Sequence, residues 1–232
     1  MNYASNKKNS AILVFAKSAA LEGNTKKIGK SRDKNYLIWS ALNKKVIAIS
    51  HKSNIPYFVY DELVQKGATF GEKISEAIQS IYAKGFDSVI VLGNDCLELQ
   101  LTHLQLAHSK LQDNDFVVGP DYNGGAYLIG ISKQVFQRTA FENIKWQTQF
   151  ALQSLVAYCD STTTFLLPQL YDVNDTATFQ RVLNTLGFKT RLKIYLQTLL
   201  YQEQESYFFL QSVLISFNNS FVKYRGPPQL IY

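Results

Sequence analysis

Cysteine is scarce in this 232-residue chain, which has only Cys96 and Cys159. Two isolated thiols exclude a disulfide framework, and each reads as a small buried hydrophobe in a reduced compartment. No histidine lies close in sequence to Cys96, so nothing local would activate its thiol. Long apolar runs are missing as well. The run Ala11 to Ala16 is short and ends at Lys17, which argues against a secretory signal. Nothing approaches the length needed to span a membrane, so a soluble, cytoplasmic protein is expected. No internal repeat or low-complexity linker is visible. Nucleic-acid binding is disfavoured too: Lys26, Lys27, Lys30, Arg32 and Lys34 are scattered among few aromatics, with no known nucleic-acid module around them.

What is present suits one α/β domain with an appendage. Hydrophobic residues make up 46% of the chain, enough for a sizeable core. The net charge of +6 is uneven. Through Tyr60 there are 11 Lys and Arg against Glu22 and Asp33, or +9, which leaves −3 for the remainder. A basic amino-terminal part beside an acidic site suits an anionic ligand such as a nucleotide, although most of these lysines read as a solvated surface.

Short apolar runs at Ala11 to Ala16, Tyr57 to Tyr60, Ser88 to Leu92, Phe116 to Val118, Ala126 to Ile131 and Thr163 to Leu167 read as strands. Ile38, Leu42, Val46 and Ile49 keep helical spacing, so Asn35 to Lys52 reads as a helix despite the β-branched Val46-Ile-Ala-Ile49. Further helices are expected over Gly71 to Lys84, from the capping-box pattern Thr102-His-Leu-Gln105 through Leu111, and over Gln147 to Tyr158 and Thr176 to Leu186. Lys17 to Lys34 reads as a loop. The alternation argues a parallel sheet covered on both faces by helices. Residues 10–187 form the expected domain. Residues 188–232 form a helical extension, with amphipathic stretches Lys189 to Tyr201 and Tyr207 to Phe217 and a close at Arg225-Gly-Pro-Pro228. It could pack on the core or form a dimer surface.

Four segments carry candidate chemistry. In Val89-Ile-Val-Leu-Gly-Asn-Asp-Cys96, Asp95 stands where a strand ends, the place where open α/β sheets bind ligands. A carboxylate there can hold a divalent metal that holds a diphosphate, or it can simply cap a turn. In Gly119-Pro-Asp-Tyr-Asn-Gly-Gly125, a glycine pair lets backbone approach a ligand, flanked by Asp121 and Asn123; a plain hairpin turn has the same pattern. In Tyr171-Asp-Val-Asn-Asp175, Asp175 is a good N-cap for the next helix, which leaves Asp172 for a site. In Gly67-Ala-Thr-Phe-Gly-Glu-Lys73, a Gly-containing loop opening a helix can offer N–H groups to an anion, while Glu72 and Lys73 read as exposed helix residues.

Together with Tyr127-Leu-Ile-Gly130 and Trp146-Gln-Thr148, these strings resemble bacterial glycosyltransferase-A-like proteins of a largely uncharacterised domain family, over roughly Ala11 to Leu186. The resemblance implies the three-layer fold of nucleotide-diphospho-sugar transferases, with a mostly parallel mixed sheet. It implies Mg²⁺ or Mn²⁺ as cofactor, with Asp95 and Asp172 as metal ligands. It places Gly71, Asn94, Asn123, Gly124, Gly125, Trp146 and Thr148 along the nucleotide and substrate cleft. The family's amino-terminal loop, Lys-x-Pro-x-x-Gly-x-x-Lys-Thr-Arg, is here Lys17-Ser-Ala-Ala-Leu-Glu-Gly-Asn-Thr-Lys-Lys27. Lys17 and Gly23 match, Lys26 can substitute, and the Thr-Arg pair is absent; a lysine lacks arginine's bidentate fork. Leu97 replaces the usual Pro, and Asn123 replaces an Asp.

Three functions are compatible with these residues. The first is a metal-dependent transferase using a nucleotide sugar, with Lys17 and Lys26 on the phosphates and Asp121 or Asp172 as base for an acceptor of unknown identity. The second is a nucleotidyltransferase that takes a nucleoside triphosphate on the same fold. The third is a non-catalytic binding or assembly module, which the lost Thr-Arg pair, Asn123 and the aromatic extension favour.

Overall fold

The computed structural model describes residues 8–159, 162–187 and 190–200. The chain divides into two compact units, Met1–Leu186 and Gly187–Tyr232. In the first, strands β1 (Ser10–Phe15), β2 (Tyr57–Tyr60), β3 (Ser88–Leu92), β4 (Phe116–Pro120), β5 (Ala126–Ser132) and β6 (Thr164–Leu166) form one sheet in the order β2-β1-β3-β5-β4-β6. All neighbours are parallel except β5, which runs antiparallel to both β3 and β4. The sheet is therefore mixed rather than wholly parallel. The reason is local: Tyr122 to Gly125 turns the chain straight back, and a hairpin needs no crossover helix.

Side-chain alternation along the strands builds two cores. Ala11, Leu13, Val89, Val91, Phe116, Val118, Ile129 and Ile131 face one side, against Ile74, Ile78 and Ile81 of α3 (Phe70–Ala83), Phe141 of α5 (Arg138–Glu142) and Leu155 of α6 (Ala151–Tyr158). Ile12, Val14, Ile90, Leu92, Val117 and Leu128 face the other, against Val46 of α2 (Arg32–Lys52) and Leu104, Ala107 and Leu111 of α4 (Leu101–Asp113). This is the three-layer arrangement expected. It explains why β1, β3 and β4 are apolar at nearly every position: both faces are covered.

Several boundaries depart from the sequence reading. Lys17 to Lys34 is not all loop: α1 (Ala19–Thr25) lies within it, capped by Ser18, whose side chain accepts from Leu21 N. The α2 helix starts earlier than expected, at Arg32, because Ser31 caps it. Thr102 does not cap α4. Gln100 stands at the N-cap and its N–H donates to His103 Nδ1 at 3.1 Å. The helix expected from Gln147 begins only at Ala151, since Gln147 takes φ +58°, outside helical backbone. Asp175 does cap α7 (Thr176–Thr185), accepting from Thr178 N at 2.8 Å.

In the second unit, residues 191–200 are helical. The stretch Tyr207 to Phe217, the closing Arg225-Gly-Pro-Pro228 and any dimer surface they form lie outside the described residues. Among the described residues, no helix is long and apolar enough to cross a membrane.

Candidate functional site

The parallel strands β3 and β4 end at the same edge of the sheet, and the segments after them carry the acidic residues. Beyond β3, the backbone of 94–97 is held from two sides. Asn43 and Lys45 of α2 reach it: Asn94 Nδ2 donates to Asn43 Oδ1 at 2.7 Å, and Lys45 Nζ donates to the carbonyls of Cys96 (3.2 Å) and Leu97 (2.5 Å). On the other side, Cys96 pairs with Asp172 in an antiparallel bridge, and Val173 N donates to Asp95 O at 2.9 Å. These contacts bring Asp95 and Asp172 together from positions far apart in sequence.

Asp95 does not stand alone. Its Oδ2 accepts from Lys26 Nζ at 2.7 Å, and the same ammonium lies 3.3 Å from Glu22 Oε1. Glu22 and Lys26 are four apart on α1, the spacing that stacks side chains on one helix face. Burial of Lys26 favours its neutral form, but Asp95 and then Glu22 outweigh that and raise its pKa, so it stays charged.

Beyond β4, Asp121 staples the hairpin. Its Oδ1 accepts from Asn123 N at 2.6 Å and Gly125 N at 2.8 Å. A Cβ on Gly125 would lie 2.5 Å from Asp121 Oδ2, so only glycine admits this carboxylate. Gly124 has φ +83°, and a Cβ there would overlap the Gln149 carbonyl oxygen. Both glycines serve the turn itself. Asn123 reaches across, with Nδ2 donating to Asp172 O at 3.4 Å.

Asp172 is 7% exposed, and its Oδ1 has no hydrogen-bond partner. Burial, then the charges of Asp95 and Asp121 and a hydrogen bond with Asp121, push its pKa well above the usual aspartate range; Lys26 opposes them. Its charged form is therefore disfavoured, and it holds a proton more strongly than an ordinary aspartate. Cys96 next door is buried, and burial followed by the Asp172 charge pushes its pKa up. It is a neutral thiol, unsuited to nucleophilic attack.

Lys26, Asp95, Asp121, Asn123, Gly125 and Asp172 thus form one cluster. The other expected residues have structural partners. Asn94 is buried under the strand end against Asn43. Gly23 is buried where α1 meets Asn35 of α2, and lines a depression of about 280 Å³ with Ala20, Asn24, Arg32, Asp33 and Tyr36. Lys17 presents its carbonyl to Asn43 Nδ2 at 3.2 Å. Gly71 lies against α5, where any Cβ would overlap Glu142 O. The anion site expected at the start of α3 is taken internally: Thr69 and Glu72 form a capping box, and Glu72 Oε2 also accepts from Ala68 N at 2.7 Å. Trp146 packs among Phe70 and Phe141 and donates to Phe141 O, and Thr148 Oγ1 bonds Lys145 O. They shape the approach to α6, whose Leu152 N holds Gly124 O at 2.8 Å.

The sequence reading missed Glu22, Asn43 and Lys45. Glu22 had a signal, its four-residue spacing from Lys26. Asn43 and Lys45 act through contacts 51 or 52 residues away in sequence, which no local pattern reveals.

Mg²⁺ or Mn²⁺ on Asp95 and Asp172 does not fit the donor set in this arrangement. Asp95 Oδ2 carries an ammonium, and Asp121 Oδ1 holds two backbone N–H groups. Among the described residues, no group of three or more His, Cys, Asp or Glu is arranged to hold a metal ion.

Comparison with known proteins agrees with this architecture. Residues 59–148 match a family described as "Uncharacterized protein conserved in bacteria". That span holds Asp95, the Asp121 to Gly125 turn, Trp146 and Thr148, and meets the resemblance drawn from those motifs. Among solved structures, the chain is similar to a "putative nucleotide-diphospho-sugar transferase" from Desulfovibrio desulfuricans G20, with TM-score 0.73 and 21% identity over 84% of this chain and 98% of that one. It is also similar to the 4-diphosphocytidyl-2C-methyl-D-erythritol synthase of Anaerococcus prevotii DSM 20548, with TM-score 0.50 and 9% identity over 85% and 100%. At these identities the likeness establishes a nucleotide-diphospho-sugar transferase-like fold. No curated protein matches the chain.

Proposed function

We propose that the cluster at the ends of β3 and β4 binds a nucleotide-activated sugar and transfers the sugar to an acceptor hydroxyl. The observation that carries this reading is the buried, unpartnered Oδ1 of Asp172. Leaving such an atom unsatisfied costs about 1–3 kcal/mol, a cost suited to a place where a ligand supplies the missing hydrogen bond. An acceptor hydroxyl can donate to it. As the acceptor oxygen attacks the anomeric carbon, its proton passes to the Asp121–Asp172 pair through the ionised Asp172, whose raised pKa makes its carboxylate a stronger base than an ordinary aspartate. The bond from the anomeric carbon to the diphosphate oxygen breaks, and the Lys26 ammonium faces the charge that develops on the leaving group. Nucleotidyl transfer on the same fold is the second reading, supported by the cytidyl-named enzyme among the similar structures.

Calorimetry with UDP-, GDP-, CDP- and dTDP-sugars and the four nucleoside triphosphates tests the choice. Micromolar binding of one nucleotide sugar, followed by release of its nucleoside diphosphate when acceptors are supplied, is the expected result. Preference for a triphosphate would replace sugar transfer with nucleotidyl transfer. Silence across the panel with folded protein would leave the binding-module reading.

A further inference from the structure

We propose that the Lys26 ammonium occupies the place of a divalent cation, so that the site takes an anionic diphosphate with no divalent metal bound. The inference rests on the reading of this cluster as a nucleotide site, and it concerns how that site neutralises its ligand.

Lys26 is a built part of the site rather than a surface lysine that happens to lie nearby. The α1 helix is only seven residues long, yet it sets Glu22 and Lys26 on one face. Its Gly23 admits the Asn35 carbonyl carbon and the Tyr36 backbone N at 3.3 Å from where a Cβ would be, which brings α1 close against α2. From α2, Trp39 Nε1 donates to Lys26 O at 3.1 Å, and the Trp39 ring centre lies 5.5 Å from Lys26 Nζ. Backbone and ammonium are thus both fixed by one indole, with the ring face adding attraction for the cation.

Two carboxylates then grip the ammonium: Asp95 at 2.7 Å and Glu22 at 3.3 Å. Glu22 is 5% exposed, so it has little water to fall back on. A divalent ion seated on Asp95 would have to expel Lys26, leaving Glu22 buried without its ion pair, or sit beside an ammonium of like charge. Both are unfavourable. Meanwhile an ammonium has three N–H donors. With two turned to Asp95 and Glu22, and the side chain 26% exposed, the third can meet a phosphate oxygen.

The test has two arms on the full-length chain, using wild type, Lys26→Met and Lys26→Arg. The first arm titrates Mn²⁺ alone and reads bound ion by electron paramagnetic resonance. Wild type and K26R should bind no Mn²⁺ at millimolar concentration, whereas K26M, with Asp95 freed, should bind it at least roughly tenfold more tightly. Mn²⁺ binding to wild type as tight as to K26M would overturn the proposal. The second arm measures UDP, GDP, CDP and dTDP binding by calorimetry, in EDTA and in Mn²⁺. Binding to wild type should be the same in both, and K26M should lose roughly 10- to 100-fold, the effect of one charged hydrogen bond. Binding only with Mn²⁺ would overturn the proposal. Silence of all four nucleotides, alongside the expected Mn²⁺ result, would instead sink the nucleotide reading and overturn the diphosphate half of this inference. K26R keeps the charge and separates its loss from misfolding.

Discussion

Replacing Asp172 by asparagine should stabilise the protein at neutral pH, and the gain should grow as pH rises. In the unfolded chain this carboxyl loses its proton near the ordinary value of 3.8. In the fold, burial and then the Asp95 and Asp121 charges hold the proton to much higher pH. Below 3.8 the group is protonated in both states and contributes no difference. Between that value and the raised one, the folded state binds one more proton than the unfolded state. Stability must then fall with rising pH, at most by about 1.4 kcal/mol per pH unit. For a domain of this size that corresponds to a melting-temperature change of roughly 3–6 °C per unit. The asparagine amide is isosteric, does not titrate, and can donate to Asp121, so the Asp172→Asn variant escapes this loss. Urea unfolding of both proteins at about pH 5, 6 and 7 isolates the contribution as the difference between their slopes. Parallel slopes, or an Asp172→Asn variant less stable than wild type at pH 7, would refute the description of Asp172 as a carboxyl whose charged form is disfavoured by burial and by its neighbours.

Other consequences are equally open to measurement. Lys45 is buried, and that burial lowers its pKa to about 8 from 10.5. The folded state thus binds fewer protons than the unfolded between those values, and stability attributable to Lys45 should rise across that window by up to about 3 kcal/mol. Denaturant melts of Lys45→Met against wild type at pH 8 and 10 should show the rise only in wild type; equal pH responses would contradict it. Gly125→Ala sets a Cβ 2.5 Å from Asp121 Oδ2, and Gly124→Ala adds a side chain at φ +83° against Gln149 O. Each should lose about 1–3 kcal/mol in urea unfolding, and a change under about 0.5 kcal/mol would mean the turn is looser than described. Asp121→Asn should abolish transfer and retain donor binding within a few-fold, so a variant with unimpaired turnover would remove Asp121 from the proton path.

How much of this was legible in sequence depends on distance along the chain. Strands β1, β2 and β3 and helices α3 and α7 were readable because each is bounded by local signals, an apolar run or a cap such as Asp175. The α1 helix was hidden because it is short and contains Gly23, and helix propensity over seven residues carries little information. The antiparallel course of β5 was implicit in the Asn123-Gly124 turn and in the mostly parallel mixed sheet that the resemblance implied, whereas helix–strand alternation alone argued for parallel strands. At the site, Asp95 and Asp121 were visible as carboxylates just beyond strands, and Asp172 as a carboxylate ahead of a helix. That Lys26 would sit on Asp95, 69 residues away, was not visible, since only the packing of α1 on α2 sets it there. Trp146, Thr148 and Gly71 were conspicuous for the opposite reason: a motif marks a residue as constrained without naming the neighbours it touches, which are here Phe141, Lys145 and Glu142.

An activated nucleotide sugar bound where Asp95, Asp121 and Asp172 meet must perturb the backbone around them. Backbone amide resonances of the isotopically labelled protein, followed while the donor found by calorimetry is added, test this most directly. Saturable shifts centred on Asp95, Asn123, Gly125 and Val173, lost in Asp95→Asn, are the expected result. Shifts confined to the depression around Ala20, Arg32 and Tyr36, with those four amides unmoved, would contradict it.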